Sequence, residues 1–228
     1  MRITKMAPGS RSVPSTFQCI RCRIFLNTHP GKEDDLEQWW STNATRLLQD
    51  CHMQMDSEKS LIDLLGYYDF VLELHGESMD DIGLFVGRLR YDTRNLLVNS
   101  VTVIERGYHQ TMREAAERRR QEHAPGRRIR ILLLTRPMSN EDCRTFEQAL
   151  DSLGGSLRQQ WGELSAIVPV FGEYDYIVEV APPGLEQMVV IVDLLRDQIG
   201  QYLRQTVTLI ERNPPAMRQA TGPTAPTT

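Results

Sequence analysis

Gly172-Glu173-Tyr174-Asp175-Tyr176-Ile177-Val178-Glu179-Val180 decides how this chain is read, because its layout occurs twice. Gly66-Tyr67-Tyr68-Asp69-Phe70-Val71-Leu72-Glu73-Leu74 carries the same order 106 residues earlier: Gly, a free position, Tyr, Asp, an aromatic, then aliphatics around a Glu. Downstream, Ser100-Val101-Thr102-Val103-Ile104-Glu105-Arg106 returns at the same offset as Thr206-Val207-Thr208-Leu209-Ile210-Glu211-Arg212. Upstream, the block from Arg23 to Pro30 returns from Arg130 to Pro137. Three blocks in one order at nearly constant spacing identify a tandem duplication.

Each copy spells strand, helix, strand, strand, helix, strand. The β-branched and aromatic run Ile20–Thr28 reads as a strand that stops at Pro30. Leu36, Trp39, Trp40, Ala44, Leu47 and Leu48 follow at helical spacing, and Met79, Ile82, Phe85, Val86 and Leu89 give a second helix. Cys143, Phe146, Leu150, Leu153 and Leu157, with Ser139 as N-cap, repeat the first helix. Leu185, Met188, Val189, Val192, Leu195 and Ile199 repeat the second. Gly66-Tyr67 and Gly172-Glu173 fit two-residue hairpin links whose first position needs positive φ. In the strand after the turn, alternation predicts Tyr68, Phe70, Leu72 and Leu74 on one face, with Asp69, Val71 and Glu73 on the other.

The order βαββαβ is the ferredoxin-like topology, with both helices on one face of an antiparallel sheet. The uncovered face still carries Val71, Val101, Ile177 and Val207, which are too apolar for water. The sequence therefore predicts an α+β chain of two such units whose sheets face each other, an intramolecular pseudo-dimer of the α+β barrel type. The expected divisions are a disordered arm (1–18), a first unit (19–106), a basic helical connector (107–127), a second unit (128–212) and a disordered tail (213–228).

Composition narrows the function. A net charge of −4 gives no global attraction to nucleic acid. No apolar run is long enough for a bilayer, so no membrane partner is expected. Four cysteines are too few for a disulfide framework and point to the cytoplasm. Cys19-x-x-Cys22 has redox or zinc spacing, but no second pair completes a tetrahedral site, so neither a metal nor another cofactor is expected. Arg113, Arg118, Arg119, Arg120, Arg127, Arg128 and Arg130 are candidates for phosphate contact, set against a solvated helix face.

The repeated Gly-x-Tyr-Asp turn, with its amphipathic helix and Thr-Val-Thr strand, resembles the effector-binding domain of the Lrp/AsnC transcription regulators. That resemblance implies a non-enzymatic small-molecule sensor or regulator, its ligand an amino acid or related metabolite. It places the ligand at Gly66, Asp69 and Thr102 and at Gly172, Asp175 and Thr208. It also implies homo-oligomers or a partner regulator. The residues before Ile20 are too few for a helix-turn-helix, so specific DNA binding by this chain is not expected. Asp69, Glu73, Asp175 and Glu179 are candidates for holding an ammonium group or metal; otherwise Asp caps the turn and Glu pairs with Arg23 or Arg130. The alternative is a small enzyme of the same barrel group, a cofactor-free monooxygenase or isomerase using the barrel interior. Chlorite dismutases, tandem haem enzymes of that group, resemble this layout and place a haem-ligating His in their second repeat. Here no His follows residue 123.

Overall fold

The computed structural model describes residues 20–55, 61–106, 128–161, 166–182, 184 and 186–212. The expected arm, connector and tail lie outside them, as do Cys19, His109 and His123. The first half runs β1 (Ile20–Thr28), α1 (Glu33–Asp50), β2 (Gln54–Met55), β3 (Ile62–Leu65), β4 (Phe70–Gly76), α2 (Met79–Asp92) and β5 (Leu97–Glu105). The second runs β6 (Ile129–Thr135), α3 (Asn140–Trp161), β7 (Ala166–Phe171), β8 (Tyr176–Val180), α4 (Gln187–Ile199) and β9 (Leu203–Glu211), with a 3-10 turn at Gly200–Tyr202.

The strands form a mixed α+β fold around an antiparallel barrel. Their order is β1-β5-β7-β8-β6-β9-β3-β4, and β4 pairs back onto β1 to close the ring. The halves are thus hydrogen-bonded edge to edge, rather than only stacked. β5 joins β7 at Ile104↔Phe171, and β3 joins β9 at Leu64↔Glu211. Closure removes the open sheet edges that invite aggregation.

Alternation along each strand sorts side chains into three cores. On β1, Cys22, Ile24 and Leu26 point outward to α1 and α2, where they meet Trp40, Leu47, Phe85 and Leu89. On β6, Ile129, Ile131 and Leu133 do the same toward α3 and α4. The intervening Phe25 and Leu132 point into the barrel with Val71, Val103, Ile177, Val207 and Leu209. Eight strands leave an interior that side chains fill. The interior is thus a packed core, which corrects the expectation of a substrate site there.

Two local expectations are also corrected. The turns are not two-residue links: the Leu64 N–H donates to the Asp69 carbonyl and the Val170 N–H to that of Asp175, leaving four residues in each loop. That longer loop resets the alternation. Tyr68 and Tyr174 enter the barrel core instead of facing the helices with Phe70 and Tyr176, and their hydroxyls meet at 3.1 Å.

Candidate functional site

The two glycines of the repeated motif sit at the seams. Gly66 and Gly172 both have φ +141, and a Cβ on either would stand 2.6 Å from the Thr208 carbonyl or 2.7 Å from that of Thr102. The structure therefore pairs Gly66 with Thr208 and Gly172 with Thr102, each across the two halves. The aspartates act within their own half. Asp69 Oδ2 accepts from the Thr28 N–H and hydroxyl, both at 2.8 Å, and Asp175 Oδ2 does the same for Thr135. Each carboxylate closes the end of the neighbouring strand. Asp175→Asn is expected to lower the melting temperature by several degrees, because a charge-assisted acceptor contributes about 1.5–3 kcal/mol. An unchanged thermal melt would contradict that capping role.

Glu73 and Glu179 turn inward at one end of the barrel and meet Arg23 and Arg130, whose side chains are 1% and 0% exposed. Arg130 bridges the halves, with Nη2 3.0 Å from Glu73 and Nε 3.2 Å from Glu179. Arg23 Nη2 reaches Glu179 at 3.1 Å and Glu105 at 3.0 Å. Burial alone would raise the Glu73 carboxyl, yet Arg130 and Arg23 outweigh it and hold the group well below its ordinary range. Glu179, under the same opposition, is pulled down to about 2. Arg130 and Arg128 are among the phosphate candidates of the sequence. Arg130 is buried in this cluster, and Arg128 lies 3.9 Å from Glu73. The other arginines of that group are outside the described residues.

The cluster makes the fold acid-sensitive. Both glutamates titrate below their unfolded value of about 4.3, so the folded state binds fewer protons than the unfolded chain as the pH falls through that range. Their stabilisation is complete above about pH 5 and is lost progressively toward about pH 2. Thermal melts across that window should show Glu179→Gln less stable at neutral pH and flatter below about pH 4.5 than the parent. Parallel curves would contradict the assignment.

A cavity lies elsewhere among the described residues, outside the barrel, between α3 and the β7–β8 pair. It measures about 220 Å³ and is walled by Leu150, Leu157, Ala166, Ile167, Pro169 and Tyr176, with Gly154, Asp151 and Arg158 completing it. Its origin is a break in the internal symmetry. At the repeat offset, Gly154 stands where Leu48 packs against the first core, and Arg158 where His52 stands. α3 also runs four residues longer than α1, 22 against 18, which carries Arg158 over the cavity. Arg158 Nη2 is 3.7 Å from where a Cβ on Gly154 would lie. A helix-interior glycine costs about 1 kcal/mol relative to Ala, so Gly154-Gly155 is an unfavourable choice unless the space is used. The Gly-Gly pair inside an amphipathic helix is the sequence signal that marks the cavity.

Tyr176 forms one wall, its ring packed edge-on against Phe146 at 5.5 Å. Burial raises its hydroxyl pKa, with Arg106 opposing, so the phenol is neutral near pH 7. Arg106 arrives from the other half, its Nε donating to the Val170 carbonyl and its guanidinium 4.2 Å above the Phe171 ring.

Among the described residues no three His, Cys, Asp or Glu side chains gather to hold a metal ion. Cys22 is buried in the first core. No helix among them is long and apolar enough to cross a membrane.

No family model and no curated protein matches the chain. Solved structures do. A mutant chlorite dismutase from Candidatus Nitrospira defluvii aligns with a TM-score of 0.56 at 11% identity, covering 89% of this chain and 94% of that one. A structure of that organism's chlorite dismutase in complex with imidazole gives 0.54 at 11%, over 85% and 91%. A putative chlorite dismutase gives 0.54 at 10%, over 85% and 94%. The fold is thus the chlorite dismutase-like α+β barrel. This corrects the Lrp/AsnC effector-domain resemblance, and with it the reading as a non-enzymatic regulator. The physical reason lies in what the motif does. Its Gly permits the seam, its Asp caps a strand and its Glu enters the ion cluster, so Gly-x-Tyr-Asp with a following Glu reports the barrel and not an effector.

Proposed function

We propose that the chain is a small enzyme of the dimeric α+β barrel group, acting by proton transfer on a small organic molecule in the second-half cavity. The observation that carries this reading is the exchange of Leu48 for Gly154 between otherwise matching helices. One half is filled at that point; the other is opened at a cost in helix stability.

Haem, the cofactor of chlorite dismutases, does not fit the residues that line this cavity. Haem iron takes an axial His, Cys, Met or Tyr. The cavity offers only Tyr176, whose hydroxyl is driven away from the phenolate by burial. Its volume of about 220 Å³ also falls below the roughly 300–1,000 Å³ of sites for drug-sized ligands. The lining suits a different chemistry. A neutral phenol donates a hydrogen bond to an oxygen on which charge develops, and the Asp151 carboxylate at the rim accepts a proton. The small-molecule partner expected from the sequence is, in this reading, the substrate, and the partner regulator falls with the sensor reading. We keep the division into two ferredoxin-like units as the origin of the barrel. Self-association is expected through Leu84 and Val190, equivalent positions on α2 and α4 that are 50% and 49% exposed.

The experiment is solvent-deuterium exchange of a panel of small carbonyl acids, followed by proton NMR. The parent protein should exchange the proton next to the carbonyl of at least one member. Tyr176→Phe should slow that exchange by roughly a hundredfold, the lower end of what a positioned proton donor supplies. Exchange that survives Gly154→Leu unchanged would overturn the reading.

A further inference from the structure

The walls and rim of this cavity differ in kind, and the difference specifies what it takes. Leu150, Leu157, Ala166, Ile167 and Pro169 offer an apolar body only carbon to touch. One guanidinium lines the cavity beside that body, that of Arg158, 3.7 Å from where a Cβ on Gly154 would lie. Among the described residues Arg158 has no ion-pair partner, although α3 also carries Asp151 and Glu147. A planar guanidinium presents a fork that matches a carboxylate, and it is less strongly hydrated than an ammonium group. Asp151 at the rim, with Glu147 and Asp175 acting on Tyr176 from nearby, repels a second negative charge. The volume equals roughly seven water volumes of about 30 Å³ each, so the occupant has on the order of one six-membered ring and a head group.

We infer that the cavity binds a compact monocarboxylate with an apolar body, its carboxylate on Arg158 and its body against the leucines of α3 and the β7 wall. This rests on the reading of the cavity as the working site and adds the class of substrate.

Benzoate is the probe, with benzamide as its neutral isostere. Binding is followed by chemical-shift changes and by the rise in melting temperature that a ligand of the native state produces. Benzoate should bind at millimolar concentration and benzamide at least about tenfold more weakly. Arg158→Gln should cut benzoate affinity by about tenfold and leave benzamide unaffected, since a charge-assisted bond is lost in one case and none in the other. Gly154→Leu should abolish binding of both. If benzamide binds as well as benzoate and Gly154→Leu removes both, the carboxylate assignment is overturned while the cavity stands. If neither probe binds, or binding survives Gly154→Leu, the cavity is not the site and the inference fails with it. Circular dichroism of Gly154→Leu separates loss of the cavity from loss of the fold.

Discussion

Replacing Arg130 with Met is expected to destabilise the protein by about 3–5 kcal/mol, the usual result of removing one partner from a buried ion pair. For a chain of this size that corresponds to a fall in melting temperature of about 10 °C. The effect is large because Arg130 is fully buried and serves both halves at once, touching Glu73 of β4 and Glu179 of β8. Without it the two carboxylates stay in the barrel with Arg23, and with the half-exposed Arg128 at 3.9 Å from Glu73. Methionine fills much of the volume, so the loss reports charge more than cavity. The pH dependence gives a second signature. Each orphaned glutamate titrates higher than before, so protonation relieves the variant sooner. The gap between Arg130→Met and the parent should therefore be widest near pH 7 and narrow toward about pH 4. A gap below about 1 kcal/mol, or one that is constant with pH, would show that the cluster does not hold the halves together.

Gly172→Ala should cost about 3 kcal/mol or more for two separable reasons. The residue has φ +141, a region that side chains occupy only at a cost of about 1–3 kcal/mol. Its new Cβ would also stand 2.7 Å from the Thr102 carbonyl, which is backbone of the facing half and cannot swing aside. Gly66→Ala, with the same φ and 2.6 Å to Thr208, should behave alike. Gly155→Ala in α3 is the internal control. A Cβ there meets nothing within 4 Å, and helix propensity favours Ala by about 1 kcal/mol. Chemical denaturation of the three variants checks the order. Equal stabilities for Gly172→Ala and Gly155→Ala would remove the seam from the account.

These residues also show how far the sequence could be read. The repeat, the element order and the burial of Val71 and Ile177 follow from periodicity, which the chain prints twice. Barrel closure was less legible. The pairing of Ile104 with Phe171 joins strands from different halves, and no local pattern specifies such a partner. Tyr68 lies on the face opposite to the one alternation predicts, because a four-residue loop, unlike a two-residue one, breaks the alternation before the strand begins. The motif misdirected the function for a deeper reason. Buried charge and positive φ are also what ligand sites use, and a sequence alone does not distinguish a glycine that admits a ligand from one that admits a strand. The cavity is visible in the sequence only as a difference between the copies, Gly154 against Leu48.

Titration with hemin, followed by absorption, tests the proposal that this barrel works without haem from the second-half cavity. The Soret band of added hemin is expected to stay that of the free molecule, and Gly154→Leu to change nothing in the spectrum. A sharpened, shifted Soret band that saturates at one hemin per chain and is lost in Tyr176→Phe would contradict it.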